Sequence, residues 1–150
     1  MTETVLTAVV RTIEIDAPRE RVFSLFTTLA NLVRWWPDAA SFDAREGGEV
    51  RLEFDGRGVV RGTITRFDPP RALGFTWVRD VAPDVVTRVD VELTELGDGG
   101  TRVELRHTGW ENVPEGEAAE WRAVHEAGWS HFLGCLRDLA EGRPVDRTFR

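Results

Sequence analysis

Residues 114–142 read PEGEAAEWRAVHEAGWSHFLGCLRDLAEG, the one segment long and periodic enough for an extended amphipathic helix. Successive side chains advance ~100° around a helix, so Trp121, Gly128, Trp129, Phe132, Leu136 and Leu139 gather on the face centred at His125. Ala123, Glu126, Ala127, Ser130 and Arg137 take the opposite face. Pro114, Glu115 and Glu117 suit a first turn, where unpaired backbone N–H groups favour negative charge, and Gly142 followed by Pro144 is a stop. The expected helix covers 115–141, faces Trp121, His125, Phe132 and Leu136 inward, and at ~1.5 Å per residue runs roughly 40 Å. An aromatic face of that length has to lie on something equally broad.

The rest of the chain supplies it. Residues 5–15, VLTAVVRTIEI, read as a first strand. In DAPRERVFSLF, Asp16 or Ala17 caps a short helix, Pro18 sits in its first turn, and Val22, Phe23, Phe26 and Leu29 form its apolar stripe. A second short helix covers 29–35 and ends before Pro37, leaving Trp35 and Trp36 at a helix end. The period then switches to two. Val50, Leu52 and Phe54 alternate with charged residues, as do Val60, Gly62 and Ile64, then Leu73, Phe75 and Trp77. Residues 85–93 alternate with Arg88, Asp90 and Glu92 outward, and Val103, Leu105 and His107 share a last face. Turns at 56–58, 68–70 and 97–100 separate these runs. The order strand, two helices, about six antiparallel strands and one long helix defines an α+β fold across residues 1–150 as one domain, its sheet buried on one face by the last helix. A twisted sheet wrapped on a helix leaves a wedge where small apolar ligands fit.

Composition narrows the function classes. A formal charge of −7 argues against a nucleic-acid or anionic-membrane partner. All 19 basic residues are Arg, so lysine Schiff-base chemistry is excluded. Cys135 is alone, no secretory signal or membrane-length apolar run is present, and the expected location is the cytoplasm.

Several stretches carry a resemblance: IDAPRERVFSLFT, RWWP, GTITRFDPPRALGFTWV, GDGGTRVELRHTGW and HEAGWSHFLGCLRDL, in that order and over nearly the whole chain. The chain resembles START-type (Bet v 1-like, SRPBCC) helix-grip domains, and among them the family named after the C-terminal domain of the activator of the 90-kDa heat-shock protein's ATPase. The resemblance implies a β-α-α-β6-α architecture with a curved sheet around the C-terminal helix. The group holds ligand carriers, cyclases and proteins of unknown role. The eukaryotic activator is similar only in its C-terminal domain, and its N-terminal domain has no room here, so a chaperone partner is not expected; a homodimer is compatible.

Two histidines are the candidates for chemistry. His125 lies at the centre of the helix's apolar face, either as a proton-transfer group or polar anchor, or as a core histidine bonded to a carbonyl or carboxylate. His107 shares the inward face of its strand and stands between the same two readings. His131 is about 240° away from His125 and reads as a surface residue. Neither the His spacing nor the single Cys suggests a metal, Cys135 reads as a small buried hydrophobe, and no cofactor is expected. Phe75, Trp77, Trp121, Trp129 and Phe132 are core aromatics that also line the expected cavity, with Gly128, Gly62 and Gly74 leaving gaps. Of Trp35 and Trp36, one packs inside and the other is placed to close an end of the cavity. The leading expectation is a cavity protein for a hydrophobic or aromatic small molecule. A cyclase or dehydratase using His125 or His107, and a chaperone-associated or regulatory protein-binding module, are the alternatives.

Overall fold

The structure is a computed structural model that describes residues 8–148. Seven strands form one sheet in the order β1-β7-β6-β5-β4-β3-β2, every neighbouring pair antiparallel. They are β1 (Val9–Ile15), β2 (Ala39–Phe42), β3 (Glu49–Phe54), β4 (Gly58–Asp68), β5 (Ala72–Arg79), β6 (Thr87–Glu95) and β7 (Thr101–Thr108). Strands β2 to β7 follow one another as a meander, while β1 closes the far edge by pairing with β7. The expected start of the first strand at residues 5–7 lies outside the described residues.

Because β1 and β2 sit at opposite edges, the chain between them has to cross the whole width of the sheet. Helices α1 (Arg19–Thr27) and α2 (Leu29–Trp35) make that crossing. Pro18 is the capping residue of α1 rather than part of its first turn, and its carbonyl accepts the Val22 N–H. Val22, Phe23, Leu25 and Phe26 are buried. Leu29, expected on the same stripe, opens α2 instead and is 48% exposed. A 3₁₀ turn at Trp110–Asn112 leads into the long helix α3 (Ala118–Ala140), which packs on β1, α1 and α2.

The order β-α-α-β6-α is the one expected, with local differences. The helix begins at Ala118 and not at 115, because Gly116 adopts φ of 94°, a left-handed conformation that a right-handed helix cannot include. Its phase is as expected: Trp129, Phe132, Leu136 and Leu139 are buried while Ser130 faces solvent. The Arg21 guanidinium donates to the carbonyls of Leu139 and Ala140, satisfying the last turn of α3. Strand β6 starts at Thr87, so residues 85 and 86 belong to the preceding loop. The glycines of β4 and β5 mark close approaches to neighbouring strands and not gaps. A Cβ on Gly62 would lie 1.9 Å from the Thr76 carbonyl oxygen, and one on Gly74 would lie 2.6 Å from an Asp90 carboxylate oxygen.

Candidate functional site

All six tryptophans join one aromatic network with the two inward histidines. Trp35 stacks on Trp36 at 5.3 Å, and Trp36 meets Trp77 at 6.1 Å and Trp129 at 5.2 Å. Trp77 meets His107 at 5.3 Å and His125 at 5.8 Å; Trp110 lies 4.5 Å from His107, and Trp121 lies 6.5 Å from His125. Strand alternation aims Trp77 and His107 at α3, and helix periodicity aims His125 and Trp129 back at them.

His107 is wholly buried. The Trp129 Nε1–H donates to its Nδ1 at 3.0 Å. An indole can only donate, so Nδ1 carries no hydrogen and Nε2 does; Nε2 then donates to Thr87 Oγ1 at 2.7 Å. Thr87 in turn donates to the Trp77 carbonyl at 3.3 Å. Burial, and next the neighbouring His125, hold the His107 pKa well below its ordinary 6.5. Both nitrogens are committed to partners within the protein.

His125 is half-buried and held in the opposite tautomer. Its Nδ1 lies 2.8 Å from the Trp121 carbonyl, which can only accept, so Nδ1 donates; Nε2 accepts from Trp77 Nε1 at 3.2 Å. Burial lowers its pKa below 6.5, the Trp121 carbonyl works against that shift, and the Arg79 charge works with it. The imidazole is therefore neutral at pH 7, and taking up a proton would cost it the Trp77 bond.

A cleft of about 280 Å³ opens beside this network, between α3 and strands β3 to β5. Trp36, Phe54, Trp77, Trp129 and Phe132 line it, with Val60, Val124, Gly128, the His125 ring edge, and Arg57 and Arg79. Six of the expected site residues thus come together on it: Trp36, Trp77, His125, Gly128, Trp129 and Phe132. The others do not reach it. Trp35 and Phe75 are in the core beneath, His107 is enclosed by Trp77, Trp110, Trp129 and His125, and Trp121 lines a second depression that adjoins the cleft at Arg79 and Val124 and carries Glu117 and Glu120. Neither Trp35 nor Trp36 is an exposed lid; both are buried, with the Trp35 Nε1–H donating to the Leu25 carbonyl at 2.8 Å.

Phe54, Val60 and Arg79 line the cleft as well, and strand parity marks all three. Each sits at the same strand parity as an inward neighbour: Phe54 with Leu52, Val60 with Ile64, and Arg79 with Trp77. Arg57 lies in the β3–β4 turn, where no periodicity points. His131, expected at the surface, is half-buried, packing on the Phe132 ring at 5.0 Å with Nε2 3.7 Å from Cys135 Sγ. Cys135 is buried and donates to the Asp146 carbonyl; burial first, then Asp138 and Asp146, push its pKa up, away from a reactive thiolate. Among the described residues no group of three His, Cys, Asp or Glu is placed to hold a metal, and no helix is long and apolar enough to cross a membrane.

A curved antiparallel sheet gripped by one C-terminal helix, with a cleft between them, places the chain in the helix-grip class of α+β proteins. Within that class it belongs to the family described as activator of Hsp90 ATPase homolog 1-like protein, which matches residues 16–141. The solved structures agree on the fold. Protein MLL2253 from Mesorhizobium loti is 22% identical, covering 89% of this chain and 96% of its own, with a TM-score of 0.77. The Aha1 dimer from Colwellia psychrerythraea is 21% identical over 90% and 96%, also at 0.77. PFC0360w, an HSP90 activator from Plasmodium falciparum, is 25% identical over 93% and 99%, at 0.71. No curated protein matches the chain.

Proposed function

We propose that this protein binds a hydrophobic or aromatic small molecule in the cleft between α3 and strands β3 to β5. The supporting observation is the lining: five aromatic side chains face one opening whose polar side chains are few, His125, Arg57 and Arg79. Small-molecule sites have that composition, and a volume of about 280 Å³ is near the lower end of their range, which suits a compact ligand. The His125–Trp77 hydrogen bond pre-sets both ring edges and spares a ligand the cost of ordering them.

Titration with 2-naphthol, followed by tryptophan fluorescence and calorimetry, is expected to give saturable one-site binding. Gly128→Leu places an isobutyl group in the cleft while improving helix propensity, so affinity should fall at least about ten-fold with the unfolding temperature held. Binding unaffected by Gly128→Leu would put the ligand elsewhere.

A second reading, contact with a chaperone, draws on the family and on apolar residues beside the cleft. Val81 is 69% and Val124 is 53% exposed, and both border the depression lined by Trp121. Its expected outcome is a change in the ATP turnover of a purified Hsp90 when this protein is added. Unchanged turnover at saturating protein sinks it.

A further inference from the structure

We infer that the ligand of this cleft carries a neutral oxygen acceptor on its apolar body, a ketone- or ester-type carbonyl, and that the indole N–H of Trp36 donates to it. This rests on the cleft being the binding site. Four of the six tryptophans commit their indole N–H within the protein. Trp35 donates to the Leu25 carbonyl, Trp77 to His125, Trp110 to the His107 carbonyl and Trp129 to the His107 ring. Trp121 has no such bond among the described residues, but it is half-buried, where solvent can serve it. Trp36 is the exception. It is only 3% exposed, and its indole nitrogen has no hydrogen-bond partner among the described residues, where a buried indole N–H ordinarily finds one.

The nitrogen is not sealed in the interior. Among the described residues the one fully enclosed side-chain nitrogen or oxygen without a partner is Arg19 Nε, so Trp36 Nε1 keeps a small open surface. The opening that Trp36 borders is the cleft. Trp35 and Trp77 lie nearly parallel to its ring, at 17° and 16°, so its edge is left to meet that opening. The backbone of Trp36 closes α2 by donating to the Leu32 carbonyl, which holds the donor in place before anything binds.

The cleft offers this donor no side-chain acceptor of its own. No Asp, Glu, Asn, Gln, Ser or Thr is among the residues that line it, and His125 Nε2 already takes the Trp77 N–H. A purely hydrocarbon ligand would strip solvent from Trp36 and leave the N–H unsatisfied, whereas a carbonyl within reach satisfies it, a difference of about ten-fold in affinity. The other donors of the lining are engaged. His125 Nδ1 meets the Trp121 carbonyl, Arg57 has an interaction of its own, and Arg79 lies over the Trp121 ring beside the depression that carries Glu117 and Glu120. What remains is one uncharged donor, and a neutral acceptor is its complement.

The experiment compares 2-acetylnaphthalene with 2-isopropenylnaphthalene, which has the same shape and no oxygen, by calorimetry. Trp36→Phe keeps a ring and removes the N–H; it changes the packing met by both probes, so the readout is the ratio of their affinities. That ratio is expected to shift about ten-fold against the ketone in the variant. A second readout needs no variant. In wild-type protein with isotopically labelled indole nitrogens, the Trp36 N–H signal should move further downfield with the ketone than with the hydrocarbon, whose ring produces the same aromatic shift. An unchanged affinity ratio in folded Trp36→Phe, or a Trp36 signal displaced equally by both probes, would overturn the assignment while leaving the cleft as the site. Saturable binding of neither probe would overturn the site as well.

Discussion

Trp35→Ala is expected to lower the unfolding free energy by about 4 kcal/mol or more, a large share of the ~5–15 kcal/mol that holds a domain of this size folded. The indole is wholly buried, stacked on Trp36 and edge-on to Phe26 at 5.1 Å, where α2 meets the sheet. Truncation at such a site forfeits the transfer energy of the ring and leaves a cavity that rigid neighbours do not fill. It also removes the donor to the Leu25 carbonyl, a buried acceptor that water cannot reach. Trp35→Phe separates the two contributions, since it keeps most of the ring and loses only the hydrogen bond, at about 1–2 kcal/mol. Urea unfolding followed by far-ultraviolet circular dichroism measures both without depending on tryptophan emission. A loss below about 1 kcal/mol for the alanine variant would mean that α2 does not pack as described.

The second large effect is a loss of stability on mild acidification. The pKa of His107 is lowered on folding, so the unfolded chain takes up the proton first as pH falls. The stabilisation is therefore complete above about pH 6.5 and is lost as pH falls through 6.5 toward the folded-state value, at up to about 1.4 kcal/mol per pH unit. Between pH 6.5 and 5 His107 and His125 act with the same sign, so stability falls across this window. Asp38, through the Asp55 backbone N–H, and Glu141, through that of Asp16, also have lowered pKa values, but their contributions disappear below the ordinary carboxylate range and stay outside this window. His107→Phe is expected to cost about 2–3 kcal/mol at pH 7, because it strands the Trp129 indole N–H and removes the donor to the Thr87 hydroxyl, which keeps only its bond to the Trp77 carbonyl. It should also flatten the pH dependence between 7 and 5. Denaturant titrations of both proteins across that range decide the matter: equal slopes would show that His107 takes up protons freely in the fold.

What could be read before folding follows from which forces are periodic. The phase of α3 was legible because burial of one face imprints a 3.6-residue rhythm on a long segment, and the β-α-α-β6-α order because rhythm and turns alternate cleanly. Strand β2 was not marked, since Ala39–Phe42 is a four-residue edge strand with no buried position to impose alternation. The start of α3 is not legible because Pro114, Glu115 and Glu117 have helix-opening chemistry, and the backbone angle of Gly116 overrides it. The histidines show the limit on sites. Helix and strand parity brought His107 and His125 to one place, but their roles depend on which indole reaches which nitrogen, and that is set by packing between α3, β5 and β7.

The burial of α3 is uneven along its length, and that has a dynamic consequence. Every buried residue of the helix, from Trp129 to Ala140, lies in its C-terminal half. In the N-terminal half Trp121 and His125 are only half-buried, packed against Arg79, Trp77 and Trp110, and the Arg11–Glu126 ion pair lies at the surface. Opening of the turns in this half is expected to cost less than undocking of the second half, a difference that hydrogen exchange along α3 would measure. The wall of the cleft that carries Val124 and His125 belongs to the less buried half, and the floor carrying Trp129 and Phe132 to the more buried one. For the proposed ligand this gradient favours entry at the less buried end of the helix, which is where exchange protection is expected to change on binding.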